Sequence, residues 1–167
     1  MWGSAQFGSL MSESILLFVD GIACGTLAEP DVEQLLKMAT PAPFGKGDQT
    51  VFDPTVRLAL QIDGKRIALK REFEERNYSE NRGKKRILDF SPNNMKKWLP
   101  LDSLLPPMLL NEDMDAELYK LHIYPTGGHF DKHLDTQHAN NHVISAVVQL
   151  GVLSPVAPSI SMTAAWT

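Results

Sequence analysis

The stretch that decides the fold is residues 121–135, which read LHIYPTGGHFDKHLD. His133 and Asp135 stand either side of one leucine, and in an extended strand residues two apart point to the same face. An imidazole and a carboxylate side by side can supply two ligands of the 2-His-1-carboxylate facial triad that holds non-haem Fe(II). A His-x-Asp triplet alone has low specificity, so a solvated triplet in a surface loop stays open as the alternative.

The residues ahead of this triplet extend it into a longer motif. Together they form the pattern Tyr-x-x-Gly-x-x-Phe-x-x-His-x-Asp, carried by Tyr124, Gly127, Phe130, His133 and Asp135. This pattern resembles that of the 2-oxoglutarate- and Fe(II)-dependent dioxygenases, and within them the prolyl 4-hydroxylase-like branch. In that family the motif runs through the first metal-bearing strands of a double-stranded β-helix.

Segments on both sides of the motif are similar to the same family. Residues 117–124 and 143–150 resemble the strands before and after the motif, and residues 42–47 and 51–57 resemble the entry segment of a mainly fungal subgroup. The resemblance implies Fe(II) and 2-oxoglutarate as cofactors, with ascorbate as an optional reductant. It implies hydroxylation of an unidentified protein side chain or small molecule, coupled to decarboxylation of 2-oxoglutarate to succinate.

The resemblance also assigns roles to three residues. His133 and Asp135 become the metal ligands, and no catalytic residue is assigned beyond them. Tyr124 stands where these enzymes place a tyrosine hydroxyl against bound 2-oxoglutarate. A phenol can donate a hydrogen bond to a carboxylate while its ring walls an apolar pocket. A core tyrosine with a satisfied hydroxyl is the alternative for this position.

The second half of the family's site has no counterpart in the sequence. The family places a third ligand, a histidine, on a later strand, with a basic residue just beyond it. Here the last histidine is His142, the last arginine is Arg86 and the last lysine is Lys132. Residues 151–167 are poor in charge and rich in Pro, Ser and Ala, and we expect them to be unrelated to the fold. The sequence therefore predicts a C-terminally truncated or mis-spliced dioxygenase with impaired turnover.

Two other classes of function remain open. The chain could be a non-catalytic remnant that serves as a binding module. It could also be a cupin-like protein that binds Zn(II) or Ni(II) through His133, Asp135 and a loop histidine, His138 or His142. The sequence does not identify the substrate of the predicted enzyme, because substrate selectivity lies in loops around such a site.

The predicted fold class is α+β, with short N-terminal helices and a partial double-stranded β-helix (jelly roll) whose later strands are missing. We predict a loose N-terminus at 1–13, an incomplete dioxygenase domain at 14–150 and a divergent tail at 151–167. Local patterns predict these elements: a strand at 15–19, a helix at 30–38, a second helix from Pro54, a charged solvated loop at 70–86, a strand at 116–124, a turn at 125–128 and a strand buried on both faces at 143–150.

Composition narrows the expected class of protein, its partners and its location. Hydrophobic residues make up 43% of the chain and charged residues 22%, as in ordinary globular proteins. The net charge of −4 gives no reason to expect nucleic acid as a partner. The single cysteine, Cys24, cannot form an internal disulfide and is predicted to be a small buried hydrophobe. No stretch approaches the ~20 apolar residues of a membrane helix, so we predict a cytoplasmic protein, with a nuclear location as the alternative.

Overall fold

The structure, a computed structural model, describes residues 15–46, 49–77, 82–89, 116–131, 140, 144–151 and 158–166. Within these residues the chain is mostly β-strand, with one α-helix, α1 (Val32–Met38), and one 3₁₀ turn (Gly64–Arg66). The strands are β1 (Ile15–Val19), β2 (Ile22–Thr26), β3 (Thr40–Pro41), β4 (Phe44–Lys46), β5 (Gln49–Val51), β6 (Arg57–Leu58), β7 (Leu60–Asp63), β8 (Ile67–Asn77), β9 (Arg82–Asp89), β10 (Ala116–Tyr124), β11 (His129–Phe130), β12 (Ile144–Gln149) and β13 (Ser159–Trp166).

Two antiparallel sheets form the body of the described fold. The first has four strands in the order β2-β1-β8-β9, and the second has five in the order β12-β13-β10-β7-β3. Two small ribbons, β11-β6 and β4-β5, complete the pairing. The β-rich part of the predicted α+β fold is therefore confirmed, and the predicted strands at 15–19 and 116–124 are present as β1 and β10. The partial double-stranded β-helix (jelly roll) stays a prediction.

Both sheets bury one face in the same hydrophobic core. Strand β1 alternates strictly, so Ile15, Leu17 and Val19 are fully buried. Strand β10 likewise points Leu121 and Ile123 into the core, where both are fully buried. The shared cluster is completed by residues from the helix, from four further strands and from two loops: Cys24, Leu27, Leu35, Ile62, Leu69, Leu150, Ile160 and Met162. Cys24 is thus the buried hydrophobe that its solitary occurrence predicted.

Helix α1 confirms the first of the two predicted helices. Asp31 is its N-cap, with a side-chain oxygen that accepts a hydrogen bond from the Gln34 amide at 3.0 Å. Leu35 is fully buried and anchors the helix to the core. Among the described residues, no helix has the length and apolar character needed to span a membrane.

The second predicted helix, from Pro54 onward, is wrong. The Arg57 amide donates to the Asp53 carbonyl at 2.9 Å, which closes a single turn, and the chain then extends into β6 and β7. Strand β6 pairs with β11, and β7 pairs with β10. Hydrogen bonds and burial offered by these distant strands outweigh the local helical pattern.

The charged loop predicted at 70–86 is also wrong over its described part. Strands β8 and β9 pair antiparallel, with Glu74 opposite Lys85 and Glu75 opposite Lys84. A high density of both signs of charge thus marks a hairpin here, rather than a solvated loop.

The C-terminal segment does not lie outside the fold as expected. Strand β13 sits between β12 and β10, and its Ile160 and Met162 are fully buried. Strand β12, predicted to be buried on both faces, instead lies at the end of the sheet order, with Val147 65% exposed. The sequence did contain a signal for strand β13, because apolar residues alternate there with small polar ones.

Candidate functional site

Strand β10 carries the candidate site on the face that points away from the core. Leu121 and Ile123 point into the core, so Lys120, His122 and Tyr124 lie on the opposite face. Residues directly opposite each other across a ladder share a face. Gln61 of β7 and Ser161 of β13 both stand opposite His122, Ser159 stands opposite Tyr124, and Asp63 of β7 and Thr163 of β13 stand opposite Lys120. We call these eight residues the polar face: Gln61, Asp63, Lys120, His122, Tyr124, Ser159, Ser161 and Thr163.

Lys120 is held in place on this face by its neighbours. Its Nζ donates a hydrogen bond to Gln61 Oε1 at 3.0 Å and lies 5.0 Å from the ring centre of Tyr119. Burial, followed by the charge of Arg57, lowers the pKa of Lys120, and a smaller effect of Asp63 raises it. Asp63 is engaged locally, because its Oδ1 accepts from the Lys65 amide at 2.9 Å.

His122 lies at the centre of the polar face and is half-buried. Burial, and then the positive charges of Arg57 and Lys120, lower its pKa to about 4. The imidazole is therefore neutral near pH 7, with one nitrogen that donates and one that accepts. Its ring centre lies 6.4 Å from that of Tyr124, at an interplanar angle of 52°.

Arg57 reaches the site from β6. Pairing of β6 with β11 places Arg57 opposite Phe130, and the guanidinium carbon lies 4.3 Å from the centre of that ring. Nη1 donates to the Pro43 carbonyl at 2.9 Å. Nε is buried and has no hydrogen-bond acceptor among the residues that the structure describes. Phe130 also packs against Phe44, with ring centres 6.2 Å apart, so the guanidinium rests on an aromatic pair.

The predicted turn at 125–128 is confirmed, and it carries the chain from Tyr124 to β11. Gly127 has φ +78, a conformation that glycine adopts without a steric penalty. The Gly128 amide donates to the Pro125 carbonyl at 2.6 Å. Beyond the turn, His129 has Nε2 3.1 Å from the Thr55 carbonyl and Nδ1 3.3 Å from the Gly127 carbonyl. These two backbone contacts raise the pKa of His129.

The structure places one of the three predicted site residues. Tyr124 lies half-buried on the polar face, at the end of β10 that leads into the motif. His133 and Asp135 fall outside the described residues, so their role as metal ligands stays a prediction. Within the described ranges, no group of three or more His, Cys, Asp and Glu side chains could hold a metal ion.

Three basic residues near Tyr124 were missed at the level of sequence. Lys120 and His122 were recoverable, because the alternation of β10 places both on the same face as Tyr124. Arg57 was not recoverable, because its approach depends on the long-range pairing of β6 with β11. What results is a face that carries cations, hydroxyl groups and the carboxylate of Asp63, suited to hold a strongly polar ligand.

Comparisons with known proteins add no relative, since no protein-family model, no curated protein and no solved structure matches the chain. The class of protein that the described fold defines is an antiparallel β-protein with two sheets around one core. Any narrower assignment depends on the motif of residues 124–135 and on the chemistry of the polar face.

Proposed function

We propose that the chain is an Fe(II)- and 2-oxoglutarate-dependent dioxygenase of the prolyl 4-hydroxylase-like type, built on part of a double-stranded β-helix. One observation carries the proposal. Tyr124, the first residue of the motif, lies on a polar sheet face among hydroxyl groups and cations, rather than in the apolar core. The sequence continues from there to His133 and Asp135, the two residues that the motif assigns to the metal.

The chemistry of the polar face fits the proposed co-substrate. 2-Oxoglutarate carries two carboxylates, and the phenol of Tyr124 can donate a hydrogen bond to one of them. Lys120 adds a positive charge on the same face, and the neutral His122 adds no negative charge beside it. Asp63, opposite Lys120 on β7, is the carboxylate of the polar face, so an anionic ligand would find its donors toward the Tyr124 end of that face.

His133 and Asp135 would hold Fe(II), which when bound supplies the activation of oxygen. The side chains of this chain would orient the co-substrate, and Tyr124 would fix one carboxylate by its hydroxyl group. Two protein ligands bind a divalent ion more weakly than three. We therefore expect slow turnover, unless His138 or His142 contributes a third ligand.

The test measures succinate release from 2-oxoglutarate by purified protein supplied with Fe(II) and ascorbate. We expect His133→Ala to abolish the release. We expect Tyr124→Phe to raise KM for 2-oxoglutarate by roughly tenfold or more, with a smaller change in kcat, because a hydrogen bond to a charged group is lost. Lys37→Ala, at an exposed lysine on α1, is the matched control and should behave as wild type.

Other outcomes would identify the competing classes of function. Zinc or nickel that is retained through purification without turnover, and is lost in His133→Ala, indicates the cupin-like metal protein. Neither metal binding nor turnover indicates a non-catalytic binding module. Succinate release that persists unchanged in His133→Ala would contradict the proposal, because the motif then has no part in the reaction.

A further inference from the structure

The ribbon of β6 and β11 is short and pairs with no third strand among those that the structure describes. Its register consists of two residue pairs, one of them Leu58 opposite His129. One further backbone hydrogen bond runs from the Asp131 amide to the Val56 carbonyl at 2.9 Å. Two strands alone are at best marginally stable in water. Contacts outside the ladder therefore decide how firmly this ribbon stays closed.

The exposed side chain of His129 makes such contacts with two turns. Its Nε2 lies 3.1 Å from the carbonyl oxygen of Thr55, in the turn before β6. Its Nδ1 lies 3.3 Å from the carbonyl oxygen of Gly127, in the turn after β10. The second turn also packs directly on β6, because a Cβ added to Gly128 would lie 2.9 Å from the Leu58 carbonyl oxygen. The imidazole ring thus bridges two segments that are 74 positions apart in the chain.

Both partners of the ring are carbonyl oxygens, which accept hydrogen bonds and cannot donate them. The protonated ring carries an N–H at each nitrogen, so it can donate to both carbonyls at once. The neutral ring carries one N–H, so in either tautomer a nitrogen lone pair faces a carbonyl oxygen and the two repel. A neutral ring can therefore hold one turn, but not both.

The charged groups on the two segments leave the imidazole as the group that titrates near neutral pH. Both carbonyl contacts raise the pKa of His129, desolvation opposes them, and the charge of Asp131 adds to them. On the opposite segment, Asp53 accepts a hydrogen bond from the Thr55 amide at 3.0 Å, and Arg57 follows on β6. Carboxylates and guanidinium groups ordinarily titrate outside the range from about pH 5.5 to pH 8.5, whereas imidazole titrates within it.

We propose that His129 is a proton-controlled clasp between the turn at 53–56 and the turn at 125–128. When the ring is protonated, the clasp is closed and holds β6 against β11. When the ring is neutral, one contact is lost and the ribbon opens locally. Because β6 carries Arg57 and β10 ends at Tyr124, the pH sets how firmly these two residues are held. This device uses no assigned metal ligand, so it goes beyond the proposed function and stands even if the chain has no dioxygenase activity.

Hydrogen exchange of single amides in the full chain tests the clasp, because it detects local opening at each amide. The readout is the protection factor of the Asp131 amide, which is corrected for the intrinsic pH dependence of exchange. We expect it to fall by roughly fivefold or more as the pH rises from about 5.5 to 8.5, the effect of one lost hydrogen bond. The midpoint should equal the pKa of His129, measured from the imidazole ¹⁵N shifts of the same sample. Protection of Asp131 should stay below that of the β10 amides at every pH, as local opening requires.

Two variants separate the clasp from other causes of pH dependence. The side chain of His129→Gln does not titrate, so the protection of Asp131 should lose its pH dependence and stay near the low value of wild type at alkaline pH. His122→Gln is the matched control, because the pKa of His122 is about 4 and this residue is already neutral over the range tested. It should keep the wild-type change. The proposal is overturned if the protection of Asp131 does not change with pH, if it changes equally in His129→Gln, or if it equals the protection of the β10 amides throughout.

Discussion

At the scale of single residues, two histidines that lie seven positions apart respond to opposite surroundings. His122 is half-buried beside two cations, which oppose a third positive charge, and its pKa falls to about 4. His129 is exposed, and each ring nitrogen faces a backbone carbonyl, which can only accept. Both contacts are hydrogen bonds only when both nitrogens carry a proton, so the protonated form of His129 is favoured. The two residues therefore drive stability in opposite directions as the pH changes.

For His129, we predict stabilisation at acidic pH that disappears as the pH rises. The pKa of His129 is raised in the folded protein, first by the Thr55 carbonyl and then by the Gly127 carbonyl. Its contribution is therefore complete below the unfolded pKa of about 6.5 and is lost as the pH passes the higher folded value. The melting temperature of wild type relative to His129→Gln should fall over that interval. An NMR titration that places the folded pKa at or below about 6.5 would contradict this.

For His122, we predict that the protein loses stability as the pH falls. The unfolded chain takes up a proton near pH 6.5, whereas the folded chain does so near pH 4, so stability falls as the pH falls through this interval. The loss is at most about 3 kcal/mol, which is the free-energy equivalent of the pKa difference. Urea unfolding of wild type and His122→Gln at several pH values measures it. A difference between the two proteins that does not change from about pH 7 to pH 4 would rule this out.

At the scale of elements, β13 is the strand whose role the sequence concealed, and its contribution can be measured. Met162 is fully buried in the core shared by the two sheets. We predict that Met162→Ala lowers the free energy of unfolding by about 2–5 kcal/mol, through lost transfer energy and an unfilled cavity. Thr163→Ser, at the adjacent position that points to the other face, should cost less than about 1 kcal/mol. Urea unfolding at one pH compares them, and equal stabilities of the two variants would show that β13 is not docked.

Elements whose signals are local were predictable from the sequence, and elements held by distant partners were not. Strand β1 and helix α1 followed from alternation, from the N-cap Asp31 and from an apolar stripe. The hairpin of β8 and β9 was missed because its charges suggested a loop, although the two strands pair antiparallel over residues 70–77 and 82–89. The helix expected from Pro54 gave way to strand pairing that no local pattern reveals.

In the candidate site, too, the residues with local sequence signals were predictable, and the residue brought in by long-range pairing was not. The motif predicted Tyr124, and the alternation of β10 placed it on the polar face with Lys120 and His122. Arg57 lies 67 positions before Tyr124 in the chain and reaches the site through the pairing of β6 with β11. Its buried, unused Nε is a property of tertiary structure alone, and no spacing in the sequence carries it.

At the scale of the whole molecule, the two sheets are joined by one core, and this predicts how the protein unfolds. Leu17 of the first sheet and Leu121 of the second belong to the same hydrophobic cluster, together with Leu35 of the helix. Neither sheet can expose its inner face without removing the partner surface of the other. We therefore expect the described fold to open as one cooperative unit, rather than sheet by sheet.

Native-state hydrogen exchange tests this cooperativity, because it reports an opening free energy for each amide. The slowest amides of β1 and β10 should have equal opening free energies, within about 1 kcal/mol. In Leu17→Ala, a change in the first sheet, both sets should fall together by about 2–5 kcal/mol, because both depend on the same core. An exposed change, Lys65→Gln, is the control and should move neither set. If Leu17→Ala lowers the protection of β1 and leaves β10 unchanged, the sheets unfold separately, and a ligand on the polar face would then stabilise the second sheet alone.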